Sequence, residues 1–401
     1  MQAYQSKFIP TPTQERKFRR TAGCCRWVYN KALELQKNRF ENGEKKLSYP
    51  ELCKALTGWR GTEETRFLST APTHPLQQSL KDLERAHTNF FEKRASLPKF
   101  KKRGDKSSFR YPDPKQVKLD EQNERIYLPK IGWVRYHKSR DVIGTIKQVT
   151  VSERADEWYL SVQTEKEVET PVHPSTSMVG IDLGIVNFAV LSDGTKYQPV
   201  NSYRKSMKSL AHAQRDLSRK EKGSTNRRKA KLKVQRKHKK VADSRNDFLH
   251  KTSTEISKTH AIIVSEDLQV RNMSRSAAGT ITQPGKNVKA KSGLNRSILD
   301  QGWGEFRRQL EYKQKWRGGL VIAVPPHHTS QRCAACGCVN PENRISQSQF
   351  QCIECKHTAN ADLNAARNIL AAGRAVSACG EIAIGQLDEA RTHRVSSFTA
   401  A

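Results

Sequence analysis

Cys333 and Cys336, then Cys352 and Cys355, make two Cys-x-x-Cys pairs fifteen residues apart. Thiolates ligate metals, and this spacing is that of a four-cysteine zinc ribbon. Each pair clamps the ion from a tight knuckle, and two knuckles close a tetrahedral site. Cys338 and His357 stand beside the set and read as bystanders. Cys24, Cys25, Cys53 and Cys379 follow no ligand spacing and read as small apolar residues. An odd total of nine cysteines, behind a start that lacks the apolar segment of a secretory signal, argues against a disulfide framework.

Three acids offer a second chemistry. Asp182 interrupts the apolar run from Val179 to Val190. A carboxylate there is costly unless something cationic compensates it, and Gly184 beside it leaves room for a ligand or a backbone to approach. Glu266, with Asp267, ends the short apolar run Ala261 to Ser265; functional groups gather at strand ends in open sheets. Asp362 opens the stretch Leu363 to Leu370, where the first turn of a helix favours an anion. Each acid has a plainer reading: Asp182 as a strand-edge turn residue, Glu266 as a surface acid, Asp362 as a helix cap. Taken together, in these strand and helix contexts of a chain built for a polyanion, the three could hold metal.

Positioning these groups takes a sheet, long helices and a ribbon. Met178 to Ile185 and Phe188 to Leu191 read as two strands, with a turn at Ser192 to Thr195. Ala261 to Ser265 reads as a central strand covered on both faces, and Gly318 to Val324 as a strand leading into the ribbon. Residues 203–258 read as a long helical stretch broken at Gly223 and Ser224, with Val234, Val241 and Phe248 recurring every seven residues as a narrow apolar seam. Upstream, residues 14–95 read as several short helices punctuated by Pro50, Gly58, Gly61, Pro72 and Pro75. Leu97 to Arg103 is a basic extended segment. In residues 116–165 the period changes: Trp158, Leu160 and Val162 alternate with polar neighbours, and Val149 and Val151 supply a partner strand. This predicts a small barrel-like β module. Residues 168–176 read as a boundary, 274–293 as a mobile loop and 380–401 as a disordered tail.

Charge names the partner class. The 401 residues carry 72 Lys or Arg against 40 Asp or Glu, a formal net charge of +32. Such an excess opposes compaction by itself and predicts a polyanion as partner. It is concentrated from Asn201 to His250, with 17 Lys or Arg against four Asp or Glu; a merely solvated helix face mixes both signs. With 35% hydrophobic residues and a mean hydropathy of -0.78, the chain has no run near the roughly 18 residues that span a bilayer.

Several segments then carry a family resemblance. Met178-Val179-Gly180-Ile181-Asp182-Leu183-Gly184, Ser265-Glu266-Asp267-Leu268 and Asp362-Leu363-Asn364-Ala365-Ala366 resemble the three motifs of a RuvC-type, RNase H-like nuclease. The wider pattern is similar to the transposon-encoded TnpB proteins, relatives of the type V CRISPR effectors. It includes Pro10 to Gln14, Gly23 to Asn30, Arg245 to Lys251, Leu294 to Asp300 and Thr329-Ser330-Gln331-Arg332-Cys333, and runs from about residue 4 to residue 373. One departure is Asn360, where the family often has an Asp two positions before its third acid.

The resemblance implies a multidomain α/β protein. A RuvC nuclease domain would occupy 171–325 and 358–379, with a zinc ribbon that binds target nucleic acid inserted at 326–357. A β-barrel-like wedge domain would occupy 1–13 and 97–170, with a helical recognition domain inserted at 14–96. The implied function is RNA-guided DNA endonuclease, with a guide RNA from the transposon end, double-stranded target DNA cut beside a short motif, one structural Zn²⁺, and two Mg²⁺ held by Asp182, Glu266 and Asp362, Asp182 bridging. A monomer is favoured, no membrane partner is implied, and a prokaryotic cytoplasmic, nucleoid-associated setting follows. Two other readings of the same lineage are a nuclease-inactive RNA-guided repressor and a transposase acting without guide RNA.

Overall fold

The computed structural model describes residues 1–104, 107–169 and 171–380, the side chains of 379 and 380 excepted. The chain divides into two compact units, Met1–Val168 and the part from Glu169 on.

The first unit opens with β1 (Gln2–Ile9), followed by α1 (Pro12–Glu41), α2 (Tyr49–Gly61) and α3 (Thr73–Phe91). Helix α1 starts where Thr11 and Gln14 cap each other's backbone N–H groups and Pro12 presets the first turn. Strands β2 (Ser108–Tyr111), β3 (Lys118–Asp120), β4 (Arg125–Leu128), β5 (Gly132–Tyr136), β6 (Thr145–Arg154) and β7 (Glu157–Glu165) complete an antiparallel sheet of order β2-β6-β7-β1-β5-β4-β3. The β6–β7 hairpin turns at Ala155 and Asp156, both with positive φ (53° and 68°), which matches the right-handed twist of the strands it joins. Inward Val149, Val151, Trp158, Leu160 and Val162 are buried, and Phe18 of α1 packs on Phe8, Phe109 and Trp158 with ring centroids 5.0 to 6.0 Å apart. Helices and sheet in this unit share one core. Among the described residues no ladder joins β2 to β3.

The second unit is built on β8 (Met178–Leu183), β9 (Ala189–Leu191) and β10 (Lys196–Tyr197), then α4 (Ser202–Ser218) and α5 (Thr225–Thr259). The break at Gly223 and Ser224 is present: Gly223 has φ +90° and Ser224 caps α5 through Arg227 N–H. Next come β11 (Ile262–Glu266), α6 (Val270–Met273), α7 (Val288–Gln301), α8 (Trp303–Arg317) and β12 (Leu320–Val324). The small hairpin β13 (Gln349–Gln351) and β14 (Thr358–Asn360) leads into α9 (Ala361–Gly380). The five-stranded sheet runs β10-β9-β8-β11-β12, with β8, β11 and β12 parallel and β9 folded back on β8. Trp303, Phe306 and Leu310 of α8 and Leu249 and Ile256 of α5 join Val179, Ile181 and Ile263 of the sheet in one core.

Three sequence expectations change. Residues 14–95, expected as several short helices, begin inside the 30-residue α1, because the first expected break, Pro50, lies beyond its end. The predicted loop at 274–293 ends early, because α7 starts at Val288. Asn295 donates to the carbonyls of Ser274 and Arg275 (3.0 Å each), and Lys291 to that of Met273 (2.7 Å), so the helix ties down the segment before it. The polar, small-residue composition hides this, since the first buried residue of α7, Ile298, comes nearly three turns after Val288. The strand expected from Gly318 begins at Leu320; Gly318 (φ +77°) instead ends α8 beneath the Pro171 carbonyl, where a Cβ would lie 1.8 Å from oxygen. The tail expected at 380–401 lies outside the described residues apart from Gly380, the last residue of α9.

Candidate active site and four-cysteine cluster

Register brings the first two acids level. Ser265 pairs with Ile181 in the parallel β8–β11 ladder. The next residue on each strand is Glu266 and Asp182, so the two carboxylates leave neighbouring strand ends roughly 4.8 Å apart and on the same face. The hairpin supports the other side of β8, with Asp182 opposite Val190.

A glycine admits the third. A Cβ on Gly180 would sit 2.2 Å from the Ala366 carbonyl oxygen and 2.6 Å from Leu370 N, and one on Gly373 would meet the Val264 side chain at 2.3 Å. Helix α9 therefore lies directly on β8 and β11. Asn360 caps it, accepting from Leu363 N–H at 3.2 Å, so the capping role considered for Asp362 belongs to its neighbour two residues earlier. The Asp362 carboxylate is left for other use. Its Oδ2 accepts from Asn187 Nδ2 at 3.0 Å, and Asn187 in turn accepts from Gln198 at 2.9 Å.

Electrostatics couples the trio. Burial pushes the Asp182 carboxyl up to about 7, and the negative charges of Glu266 and then Asp362 add to the shift, opposed by Arg344. Burial likewise raises Glu266, against a hydrogen bond from Thr329 Oγ1 to its Oε1 at 2.5 Å. Asp182, buried and facing the negative charges of Glu266 and Asp362, suits a divalent cation, because a cation relieves both the burial cost and the repulsion. Asp267 takes another path: it pairs with Arg307 of α8. At Gly184 the group that approaches is backbone. A Cβ there would meet the Asn187 carbonyl oxygen at 2.8 Å, so its smallness serves the β8–β9 turn.

The thiols are gathered more tightly. Sγ atoms of Cys333, Cys336, Cys352 and Cys355 all lie within 4.8 Å of one another, with Cys333 to Cys355 at 3.6 Å and Cys336 to Cys352 at 3.5 Å. A tetrahedral ion with bonds of about 2.3 Å to sulfur sets sulfurs close to that spacing, so the donor set fits zinc. Among the described residues this is the one such gathered set of three or more ligating side chains. Cys338 and His357 serve the knuckles through their backbone: the Cys338 carbonyl accepts from Cys333 N–H at 2.8 Å and the His357 carbonyl from Cys352 N–H at 2.9 Å. Gly337 (φ +81°) and Lys356 (φ +59°) supply the left-handed turns.

The segment entering this cluster is stapled to α9. Asn364 donates to the Arg332 carbonyl (2.7 Å) and accepts from Ala334 N–H (2.9 Å); Asn368 donates to the carbonyls of Thr329 (2.9 Å) and Arg332 (2.6 Å). These asparagines, Asn187 and the hydroxyl of Thr329 have no metal-ligand or catalytic spacing to betray them.

Known protein families match three stretches of this chain. Residues 161–277 match the IS605 OrfB family described as "Probable transposase", and residues 303–369 the "Cas12f1-like, TNB domain". The Escherichia coli K12 protein named "Putative RNA-guided DNA endonuclease InsQ" is 59% identical over 95% of this chain and 94% of its own. The chain belongs to the TnpB/IS605 OrfB family. A second TnpB-family relative, a "Putative RNA-guided DNA endonuclease" of Streptomyces pristinaespiralis, is 38% identical over 98% of this chain and 94% of its own. A Cas12f1–sgRNA–target DNA complex shares the fold, with a TM-score of 0.51 at 16% identity, covering 88% of this chain and 81% of that one. Residues 1–45 match the TnpB family's "Helix-turn-helix domain"; in this member the stretch is strand β1 followed by the single 30-residue helix α1.

Proposed function

We propose that this protein is a transposon-encoded RNA-guided DNA endonuclease whose carboxylates Asp182, Glu266 and Asp362 hold Mg²⁺ and whose Cys333, Cys336, Cys352 and Cys355 hold structural Zn²⁺. The observation that carries the reading is the parallel register of β8 and β11, which sets Asp182 and Glu266 each one step beyond the paired Ile181 and Ser265, with Asp362 electrostatically coupled to Asp182 across the strand-to-helix contact. The sheet order and the hairpin-then-parallel pattern support an RNase H-like assignment for the second unit. The close relationship to proteins named RNA-guided DNA endonucleases supports the activity.

In this reading Mg²⁺, when bound, supplies an activated water and charge neutralisation at the scissile phosphate. The chain's own residues do the rest. Strand register fixes two acids, the Asn187 and Thr329 hydrogen bonds orient carboxylates, and Arg344 contributes a nearby positive charge. The basic faces of α4 and α5 suit a nucleic-acid backbone, whose sequence is read by pairing with the guide. Exposed Arg228, Lys229, Lys231, Lys233 and Lys240 are candidates for that contact.

The test is cleavage by Asp182→Ala: target cutting is lost while guide RNA and target binding persist, and cutting at the wild-type rate would remove the assignment. Retention of all three acids disfavours the repressor reading. Sequencing the RNA that co-purifies separates guided from unguided action, a defined RNA ending in a variable segment being the guided outcome.

A further inference from the structure

A glutamate at a strand end has three side-chain torsions, and an unheld carboxylate spreads over several positions. Glu266 is held. Thr329 Oγ1 donates to its Oε1 at 2.5 Å, and Thr329 is held in turn: Asn368 Nδ2 of α9 donates to its carbonyl at 2.9 Å. Asn368 and Asn364, buried at 7% and 0% exposure, also grip Arg332 and Ala334, so the whole strap from Thr329 to Ala334 is anchored on the helix that carries Asp362. Nothing about ribbon folding requires the Thr329 hydroxyl to face an acid on β11.

We propose that Thr329 is a positioning residue for Glu266, and that Asn364 and Asn368 support it from α9, so that one strap ties the carboxylates of Glu266 and Asp362 into a common frame. The inference rests on the reading of the three acids as a divalent-ion site. A group that hydrogen-bonds a ligating carboxylate fixes its orientation, and losing such a partner weakens metal binding about 10- to 100-fold. Thr329→Val keeps the side-chain shape and removes the donor; Thr329→Ser keeps the donor.

The experiment titrates Mn²⁺ into the full chain, following free Mn²⁺ by electron paramagnetic resonance, with zinc content checked on each variant. Thr329→Val is expected to weaken Mn²⁺ binding about tenfold or more, with Thr329→Ser close to wild type and zinc unchanged in both. Asn368→Ala, which leaves the hydroxyl in place, is expected to weaken binding several-fold, and its effect is expected to shrink in the Thr329→Val background, because two residues in one chain of contacts do not add. Asp182→Asn is the control for the site. Wild-type Mn²⁺ affinity in Thr329→Val, or equal losses in the Val and Ser variants, overturns the positioning role while Asp182→Asn still loses binding. Unchanged binding in Asp182→Asn overturns the site reading itself.

Discussion

Gly180 and Ala366 are in such close approach that a methyl group on the first would lie 2.2 Å from the carbonyl oxygen of the second. Backbone cannot yield as a side-chain tip can, so Gly180→Ala must lift α9 from β8. Overpacking of this kind costs about 1–3 kcal/mol, and here it also moves Asp362. Urea unfolding should show that loss, and cleavage should fall more steeply than stability. A variant as stable and as active as wild type would mean that the contact does not set the helix.

Asp182 supplies a pH dependence. Its folded-state carboxyl titrates at about 7 against an ordinary 3.8. Between roughly pH 4 and 7 the folded chain holds a proton that the unfolded chain has released, so its contribution to stability is full below that window and lost as pH rises through 7. In metal-free protein, Asp182→Asn should therefore raise the melting temperature at pH 8 more than at pH 5. Thermal unfolding of both chains at the two pH values measures it; an equal change at both would mean that burial and the neighbouring acids do not raise the Asp182 carboxyl.

The thiol cluster should carry one zinc per chain by metal analysis. A structural zinc site of this type contributes on the order of 10 kcal/mol to folding its own module. Cys333→Ser or strong chelation should thus unfold the region around Phe350, Cys352 and Ala361, read as loss of amide-exchange protection there. Full protection without zinc would show that packing alone suffices.

The basic helix predicts salt behaviour. Replacing exposed Lys229, Lys231 and Lys233 of α5 by Gln should weaken nucleic-acid binding and flatten its salt dependence by about 0.9 in log–log slope for each duplex phosphate left unneutralised. Fluorescence anisotropy at several salt concentrations checks it, and an unchanged slope would place the binding surface elsewhere.

Much of the framework was legible because its signals are local. Alternation revealed β7, the apolar run ending at Glu266 revealed β11, and Cys-x-x-Cys spacing identified the thiols that lie together. What escaped was set by tertiary contact. Gly180 looked like any strand residue until α9 lay on it, and of the two approaches expected at Gly184, ligand or backbone, it is the backbone of its own turn that comes close. Asn360 caps α9 through the side-chain oxygen that Asn and Asp share, the role considered for Asp362. The holding residues Asn187, Thr329 and Asn368 act across separations of 175, 63 and 39 residues, which no short-range pattern encodes. Fine boundaries failed where composition misled, as at Val288.

Strand β1 is synthesised before both of its neighbours and is a middle strand of its sheet, with Gln2 opposite Thr164. A nascent chain emerging from the ribosome must therefore keep most of this segment unpaired until β7 has followed. Pairings so distant along the chain form slowly, and the exposed strand is vulnerable to association with other chains while it waits. Expression at reduced temperature or translation rate should accordingly favour soluble protein.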